Sequence, residues 1–424
     1  MINNSYLKTF KIRNFRGFEN LTIDFSESEK LILLGKNGIG KTSILDAISQ
    51  AFSFMSASIY ANSLDDVEID YAIDQDDISI DKEECQIIVE FIWNDIPIAV
   101  ETNLDLNDEK PHFKITPNTI TNTVYNNLKS NQEYRIPILC YYRSHRSKVD
   151  LDTSGFKPTY DQRLFAIHHA FREEFSNYVG FEHWYSAVFQ KNLDESTSTQ
   201  HIDTAILKFL SSFHETDYTD LRLVESRVKS KYEYHNYRIE IKKNGKWVQL
   251  RLMSSGEKSL IFLVADIARR LSVGYNYSDT CLKGNGIILI DEIELHLHPE
   301  WQRNIITSLS NSFPNVQFVI TTHSPLVLST ITNHSIYIIG SNDYNTISID
   351  PNSKDINTIL QEMLGVSARP PKLENKVNQL LENLALENRM SSESKKLYNE
   401  IIAIGNEDDP LIRKIKNKIL LLES

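Results

Sequence analysis

Gly35-Lys36-Asn37-Gly38-Ile39-Gly40-Lys41-Thr42, with Ser43 behind it, has the makeup of a loop that wraps phosphate. Glycines such as Gly35, Gly38 and Gly40, with the small polar Asn37, let backbone N–H groups converge on phosphate oxygens. The N-terminus of a following helix adds favourable partial charge. Lys41 is spaced to reach the β and γ phosphates of a nucleotide, and Thr42 to ligate Mg²⁺. Far downstream, Ile287-Ile288-Leu289-Ile290-Asp291-Glu292 carries two acids at the end of an apolar run. Asp291 is suited to hold Mg²⁺, directly or through water, and Glu292 to orient an attacking water and take its proton.

Two further elements complete the set. Met253-Ser254-Ser255-Gly256-Glu257 precedes an apolar-periodic stretch, and Thr321-Thr322-His323-Ser324-Pro325 follows the acidic pair. Small residues at a helix start expose N–H groups and hydroxyls, an anion site with no anion of its own; a simple serine cap is the competing reading.

These residues need particular elements around them. Leu31 to Leu34 reads as a buried strand feeding the phosphate loop, and Ile44, Leu45, Ile48 and Phe52 give the helix beyond it. Leu7 to Ile12 and Leu21 to Phe25 alternate as strands, and Gln86 to Trp93 and Ile136 to Tyr142 read as two more. Helical spacing is expected over Asp161 to about Gln190 and Ile202 to Phe213, with a break at Ser196 to Thr199. Asn244-Gly245 marks a hairpin between Tyr237–Ile241 and Trp247–Leu250. Lys258 to Leu271 is an amphipathic helix leading to the acidic strand. After Gly340 the chain reads as helices at Asp355 to Gly365 and Lys372 to Glu387, separated by Arg369-Pro370-Pro371, with two shorter ones beyond. No internal repeat and no sustained heptad pattern is present.

Composition sets outer bounds. The 424 residues suggest two or three lobes. No apolar run approaches the roughly 18 residues of a membrane span, and the first ten residues hold no leader-like apolar core. Cys85, Cys140 and Cys281 give neither a disulfide framework nor a metal-binding pair. These features predict a cytoplasmic protein. The net charge of -12 is uneven: Ala61 to Lys110 holds 16 acidic residues against two lysines, leaving the rest near +2. Asp220 to Arg251 holds nine basic residues against four acidic ones. That segment is either a face for nucleic-acid phosphates or an ordinary solvated hairpin. Arg143, His145, Arg146 and Lys148 form a second basic cluster, open to the same two readings.

In order and spacing, these motifs resemble the ABC-type ATPase heads of the soluble RecF, Rad50 and OLD-type branch. Phe10-Lys11-Ile12-Arg13-Asn14-Phe15-Arg16-Gly17-Phe18 is typical of its opening. Asp291 to Pro299 is similar to its metal strand and dimer loop, and Thr321 to Pro325 to its histidine switch. The resemblance implies an α/β ABC-ATPase head, with a P-loop core sheet and an N-terminal antiparallel β lobe, a helical insert and a helical C-terminal tail. It divides the chain into head residues 1–150, an insert over 151–215, head residues 216–345 and a tail over 346–424. It also implies a head-to-head dimer, in which Ser254 and Gly256 of one subunit, with Ser255 and Glu257 in the same binding set, touch the γ-phosphate held by Lys41 of the other. His323 would bind the same γ-phosphate, and Gln86 is a candidate for the glutamine that senses Mg²⁺. Ser255 replaces the first glycine of the usual signature.

Within that branch the chain resembles the PtuA-type ATPase subunit of Septu anti-phage systems, a kind also found beside some retrons. Its tail features are Asp355 to Leu360, Gly365-Val366 and Arg369-Pro370-Pro371. The likeness implies an ATPase whose partner is a separate HNH nuclease, PtuB-like, with DNA as a further possible ligand. The competing expectation is a RecF-like repair ATPase that binds DNA without a nuclease partner. Arg163-x₄-His168 matches the loose spacing of HEPN ribonucleases, but Leu164 breaks the usual pattern. Packing within the insert is the preferred reading of that pair.

Overall fold

A computed structural model describes residues 5–25, 30–61, 72–144, 162–168, 170–171, 185, 197–213, 216–225, 237–329, 335–340, 344–347, 371–387 and 391–404, with 412–413, 415–417 and 419 in the tail. The chain forms two compact units, Met1–Lys354 and Asp355–Ser424.

The larger unit is built on a six-stranded sheet. Its strands are β3 (Lys30–Leu34), β7 (Ile138–Tyr142), β11 (Gly286–Ile290), β12 (Val316–Thr321), β13 (Ser335–Ile339) and β14 (Tyr344–Ile347), in the order β14-β13-β3-β12-β11-β7. All pairs are parallel except β13 with β14. β7, β11 and β12 are buried at every position, as continuous apolar runs require when both sheet faces are covered. Parallel register brings the C-terminal ends of β3, β11 and β12 to one edge, so the phosphate loop, the acidic pair and Thr321 emerge together. That edge is where open α/β sheets bind ligands.

An antiparallel lobe flanks this sheet. It comprises β1 (Tyr6–Phe15), β2 (Phe18–Asp24), β4 (Glu84–Trp93), β5 (Ile96–Asp105) and β6 (His112–Thr116), ordered β2-β1-β4-β5-β6. Along β4 alternate residues are buried, from Cys85 through Trp93. Helix α1 (Lys41–Ala61) is buried along nearly its whole length. It lies on the lobe through Phe52 against Phe91, and Thr102 Oγ1 donates to Gln50 Oε1 at 3.0 Å. Helix α2 (Ile120–Ser130) follows β6.

A three-stranded antiparallel sheet, β8 (Tyr218–Glu225), β9 (Tyr237–Lys243) and β10 (Lys246–Gln249), precedes the signature. Asn244 and Gly245 both take positive φ, 49° and 76°, which gives the tight hairpin its twist. The signature then opens helix α4 (Ser255–Gly274), after α3 (Thr197–Leu210) in chain order. Its buried Asp266 accepts from Tyr142 Oη at 2.8 Å and from Arg269 and Arg270, pinning the helix to β7. Helix α5 (Pro299–Ser312) has Pro299 at its first turn, where the missing N–H costs nothing. A single turn, α6 (Pro325–Leu328), is capped by Ser324.

The smaller unit contains α7 (Pro371–Glu387) and α8 (Ser392–Ile404). Leu373, Val377, Leu380 and Leu384 line one face of α7 at helical spacing and share a core with Leu397, Ile401, Ile412, Ile415 and Ile419. Lys376 pairs with Glu400 across the two helices.

The insert departs from expectation. Where one helix is expected from Asp161, the described residues form a short 3₁₀ turn at Gln162–Ala166; residues 172–184 and 186–196 lie outside the described set. Thr197 to Thr199 open α3 instead of breaking the chain, because small hydroxyl residues serve helix starts as well as turns. The expected helix at Asp355 to Gly365, and the Arg369-Pro370 part of the tail feature, also lie outside the described residues.

Candidate functional site

The phosphate loop is held in the shape its glycines allow. Gly38 and Gly40 have φ of 78° and 100°, a region that residues with a Cβ rarely enter. A Cβ on Gly40 would lie 2.6 Å from Cζ of Phe18, so the loop is also pressed against the β1–β2 turn. Gly35 is equally tight, its added Cβ falling 2.8 Å from Ile39 Cγ2. Lys36, Asn37 and Gly38 are exposed, whereas Lys41 is buried. Lys41 Nζ donates to the loop's own carbonyls, Gly35 O at 2.8 Å and Lys36 O at 3.0 Å. Burial lowers the Lys41 pKa to about 8, against the opposing pull of Asp291, Glu292 and Glu294.

The acidic pair meets this loop across 249 residues. Thr42 Oγ1 lies 3.2 and 3.1 Å from Oδ1 and Oδ2 of Asp291. Asp291 is buried and accepts from Thr321 Oγ1 at 2.6 Å, while its N–H donates to Tyr142 O at 2.9 Å. Glu292 has φ of 46°, so the chain turns sharply as it leaves β11, and its N–H donates to Thr321 Oγ1 at 2.8 Å. Backbone strain of this kind in a non-glycine residue concentrates at functional sites. Its carboxylate Oε1 is 4.0 Å from His323 Nε2. Burial, then the nearby Lys41, lower the His323 pKa, and Glu294, Glu292 and Asp291 only partly oppose them. Near neutral pH the ring is therefore mainly uncharged, able to donate or accept one hydrogen bond at each nitrogen.

These residues fit a magnesium nucleotide. Hydroxyl and carboxylate oxygens from Thr42 and Asp291 are hard donors, and the glycine cradle admits phosphate where a Cβ would not. Among the described residues no three His, Cys, Asp or Glu side chains gather into a cage of their own. Mg²⁺ typically binds through one or two protein oxygens plus substrate phosphates, and Thr42 and Asp291 offer such oxygens. When bound, the ion would neutralise charge on the phosphates. With a nucleotide bound, the loop would orient the triphosphate, Lys41 would exchange its carbonyl partners for phosphate oxygens, and Glu292 would be the candidate to take a proton from water.

The signature departs in part from expectation. Ser254 caps α4, and its Oγ accepts from Glu257 N at 3.3 Å. Glu257 Oε2 accepts from the N and Oγ of Ser254 at 3.1 and 2.8 Å, closing a capping box. Lys243 Nζ donates to Glu257 Oε1 at 2.6 Å, as does Tyr218 Oη at 2.5 Å. Burial would raise this carboxyl, but those donors outweigh it and hold its pKa at about 2. Glu257 is thus committed within its own chain. Ser254 and Ser255 are exposed, and Leu252 beside them is 70% exposed. Gly256 is buried because the His296 carbonyl packs where its Cβ would be.

Gln86 is a correction. It projects from the face of β4 opposite the buried Cys85 and Ile87, and its Nε2 donates to Glu101 Oε1 and Asn103 Oδ1, both at 2.9 Å. Strand alternation turns it away from α1, so it does not join Thr42 and Asp291. The strand that ends beside Asp291 is β7, and its next residue is Arg143. Arg143 Nη1 and Arg16 Nη1 bracket buried Asp46 on α1 at 2.7 and 2.6 Å. Arg16 also lies 3.4 Å from Ser43 Oγ and pairs with Asp77. Arg16 sat inside the opening motif and Arg143 in the basic cluster, but nothing in the sequence marked Asp46 as their partner. His145, Arg146 and Lys148 lie outside the described residues.

The Arg163–His168 pair is structural. Arg163 donates to the carbonyls of Leu128, Asn131, Gln132 and Tyr134, at 2.6 to 3.2 Å, and so closes the C-terminus of α2. The His168 ring sits edge-on to Tyr60 and Phe165. On the hairpin, Arg222 and Arg238 are drawn onto Glu240, and Arg222 stacks over Trp247 at 4.0 Å, so much of its charge is locally matched.

The chain is similar in sequence to several known proteins. A family model described as "AAA domain, putative AbiEii toxin, Type IV TA system" matches residues 31–329. The chain is 28% identical to "Retron Vc95 probable ATPase" of Vibrio cholerae serotype O1 biovar El Tor, over 86% of this chain and 80% of that one. It is 26% identical to "Septu protein PtuA" of Bacillus thuringiensis, over 79% and 76% respectively. Among solved structures, an SMC head bound to the C-terminal winged-helix domain of ScpA aligns with 82% of this chain and all of its own, at 15% identity and a TM-score of 0.46. Among the described residues no helix is long and apolar enough to cross a membrane.

Proposed function

The chain belongs to the AAA-domain family, and we propose that it is a Mg²⁺-dependent ATPase serving as the nucleotide-controlled subunit of an anti-phage defence assembly. The observation that carries the ATPase reading is the meeting of Thr42 with Asp291 beside the Lys41 cradle, with Glu292 and His323 4.0 Å apart at its mouth. The defence role rests on the retron and Septu relatives, which align along most of the chain.

The same reading makes the active site a shared one. Ser254, Ser255 and Leu252 are exposed at the start of α4, as a surface that docks on a second copy would be. In the assembled pair, Ser254 and Ser255 of one subunit reach the γ-phosphate held by Lys41 of the other. Hydrolysis then opens the pair, and that change controls a separate HNH-type nuclease, PtuB-like, which acts on nucleic acid. Among the described residues the Arg163–His168 pair is occupied structurally, which supports placing nucleolysis in a partner.

Purification of the complex from its native operon, with its mass and composition determined in ATP and in ADP, tests this function. A co-purifying nuclease whose activity changes with the nucleotide is expected. A nuclease-free ATPase that instead binds DNA, salt-sensitively and only with ATP, would favour the repair reading.

A further inference from the structure

Glu294 belongs to the loop that leaves β11, two residues beyond the base Glu292. Successive turns shape this loop: Leu295 N donates to Glu292 O at 3.1 Å, and Leu297 N to Glu294 O at 3.0 Å. They aim the Glu294 carboxylate at the segment after β12. Its Oε1 accepts from His323 N at 2.6 Å and its Oε2 from Thr322 Oγ1 at 2.8 Å. Both oxygens are thus spent on the two residues that present the His323 ring. Two hydrogen bonds to one planar carboxylate fix direction as well as distance.

A second tie joins the same two loops. Gln302, in the first turns of α5, donates from Nε2 to Leu297 O at 3.0 Å and accepts from Ser324 Oγ at 2.6 Å. Ser324 N in turn donates to Thr322 Oγ1 at 3.1 Å, and Ser324 Oγ caps α6. At its far end the loop meets the signature: His296, with φ of 65°, lays its carbonyl against Gly256 so closely that no Cβ fits there. An unbroken series of packed and hydrogen-bonded groups therefore runs from Gly256 to His323 inside one chain.

We propose that Glu294 is a positioning residue that holds the switch histidine His323 in register with the signature helix of the same chain. The proposal rests on the reading of His323 as a phosphate-sensing group. Its consequence is that the histidine serving a chain's own nucleotide moves with the surface that this chain presents to its partner's nucleotide. Displacement of the Gly256 end by a docked phosphate is transmitted through residues 293–298 to His323. Glu294 touches neither nucleotide in this scheme; it acts through His323.

Four variants of the full chain test this: Glu294→Ala, Glu294→Gln, Glu294→Asp and His323→Ala, each measured for ATP affinity, KM and kcat. Glutamine is isosteric and keeps an acceptor for His323 N while its Nε2 faces Thr322 Oγ1; aspartate keeps the charge but is one methylene too short. A positioning role predicts that Glu294→Ala lowers kcat roughly tenfold or more, with KM within about threefold of the parent. Glu294→Gln should stay within about threefold of the parent kcat, and Glu294→Asp should resemble alanine. If the alanine variant does not fold, the Gln–Asp contrast alone decides. Parent-like kcat in Glu294→Ala, or rescue by aspartate but not glutamine, overturns the proposal. If His323→Ala is impaired and Glu294→Ala is not, only the proposal fails. If His323→Ala turns over like the parent, the reading of His323 fails and takes the proposal with it.

Discussion

Thr42 Oγ1 sits 3.1 and 3.2 Å from the two carboxylate oxygens of Asp291. One hydroxyl facing both oxygens leaves a compact pair of hard donors at the end of the phosphate loop. Asp291→Asn keeps the shape and removes the charge. If Asp291 is a ligand of the ion, its Mg²⁺ half-saturation for hydrolysis should rise about tenfold or more. Nucleotide binding in EDTA should stay near the parent value. Magnesium titration of the initial rate, beside a metal-free binding isotherm, checks both halves. An unchanged half-saturation would remove Asp291 as a metal ligand.

Glu292→Gln should separate binding from chemistry. The amide retains the turn at φ 46°, because Glu292 N still donates to Thr321 Oγ1, but it cannot take a proton from water. Loss of a positioned general base costs roughly 10² to 10⁴ in rate. ATP affinity should remain within a few-fold of the parent, and single-turnover assays with radiolabelled ATP read the residual rate.

The Lys41 amine predicts a pH dependence of binding. Burial holds its pKa at about 8 in the free protein, where an ordinary lysine stays charged to about 10.4. Phosphate binding requires the ammonium. Below about pH 8 the amine is already protonated, and affinity is flat as far as this group is concerned. Above it, binding must take up a proton, so the association constant should fall by up to about tenfold per pH unit. Calorimetry at pH 9 in two buffers of different ionisation enthalpy would register that uptake. Flat affinity between pH 7.5 and 9.5 would show that Lys41 titrates normally.

The strands and the glycine loop were legible in the sequence because each rests on local chemistry. Leu31–Leu34 and Ile287–Ile290 are continuous apolar runs, and Asn244-Gly245 has a single good use. What local pattern cannot carry is partnership across the chain. Gln86 looked suitable by position, yet alternation along β4 turns it toward Glu101 and Asn103. Glu257 belonged to the signature by spacing, yet Lys243 and Tyr218 on the neighbouring sheet claim its carboxylate. Asp46, held by Arg16 and Arg143, gave no local sign, since its partners lie 30 and 97 residues away.

Gly40→Ala tests the phosphate cradle without touching a charged group. Its φ of 100° is unfavourable for any residue with a Cβ, and the new methyl would overlap the Phe18 ring. The combined strain should cost about 1–3 kcal/mol. It should appear as a lower melting temperature and weaker ATP binding together. Gly38→Ala is the useful contrast: its φ is 78°, but a Cβ there meets nothing within 4 Å. It should cost only about 1–2 kcal/mol, the backbone share. Equal losses in both variants would rule out the Phe18 contact as a determinant of loop shape.

The shared active site is tested by mixing variants, and the structure decides which ones. Ser254→Arg would block a partner's phosphate, but it also removes the cap of α4, costing about 1 kcal/mol. Ser255 is exposed at the first position of the helix and lies outside the capping box, so Ser255→Arg blocks the same surface with less damage. Lys41→Ala disables the phosphate loop. Each variant alone should be inactive in hydrolysis. Mixed in equal amounts, random pairing makes half the dimers heterodimers, and each of these has one site built from an intact loop and an intact signature. About a quarter of the parent activity should therefore return, as expected for a two-fold symmetric pair. Native mass spectrometry would report heterodimer formation in the same sample. Heterodimers without recovered hydrolysis would mean that each chain completes its own site.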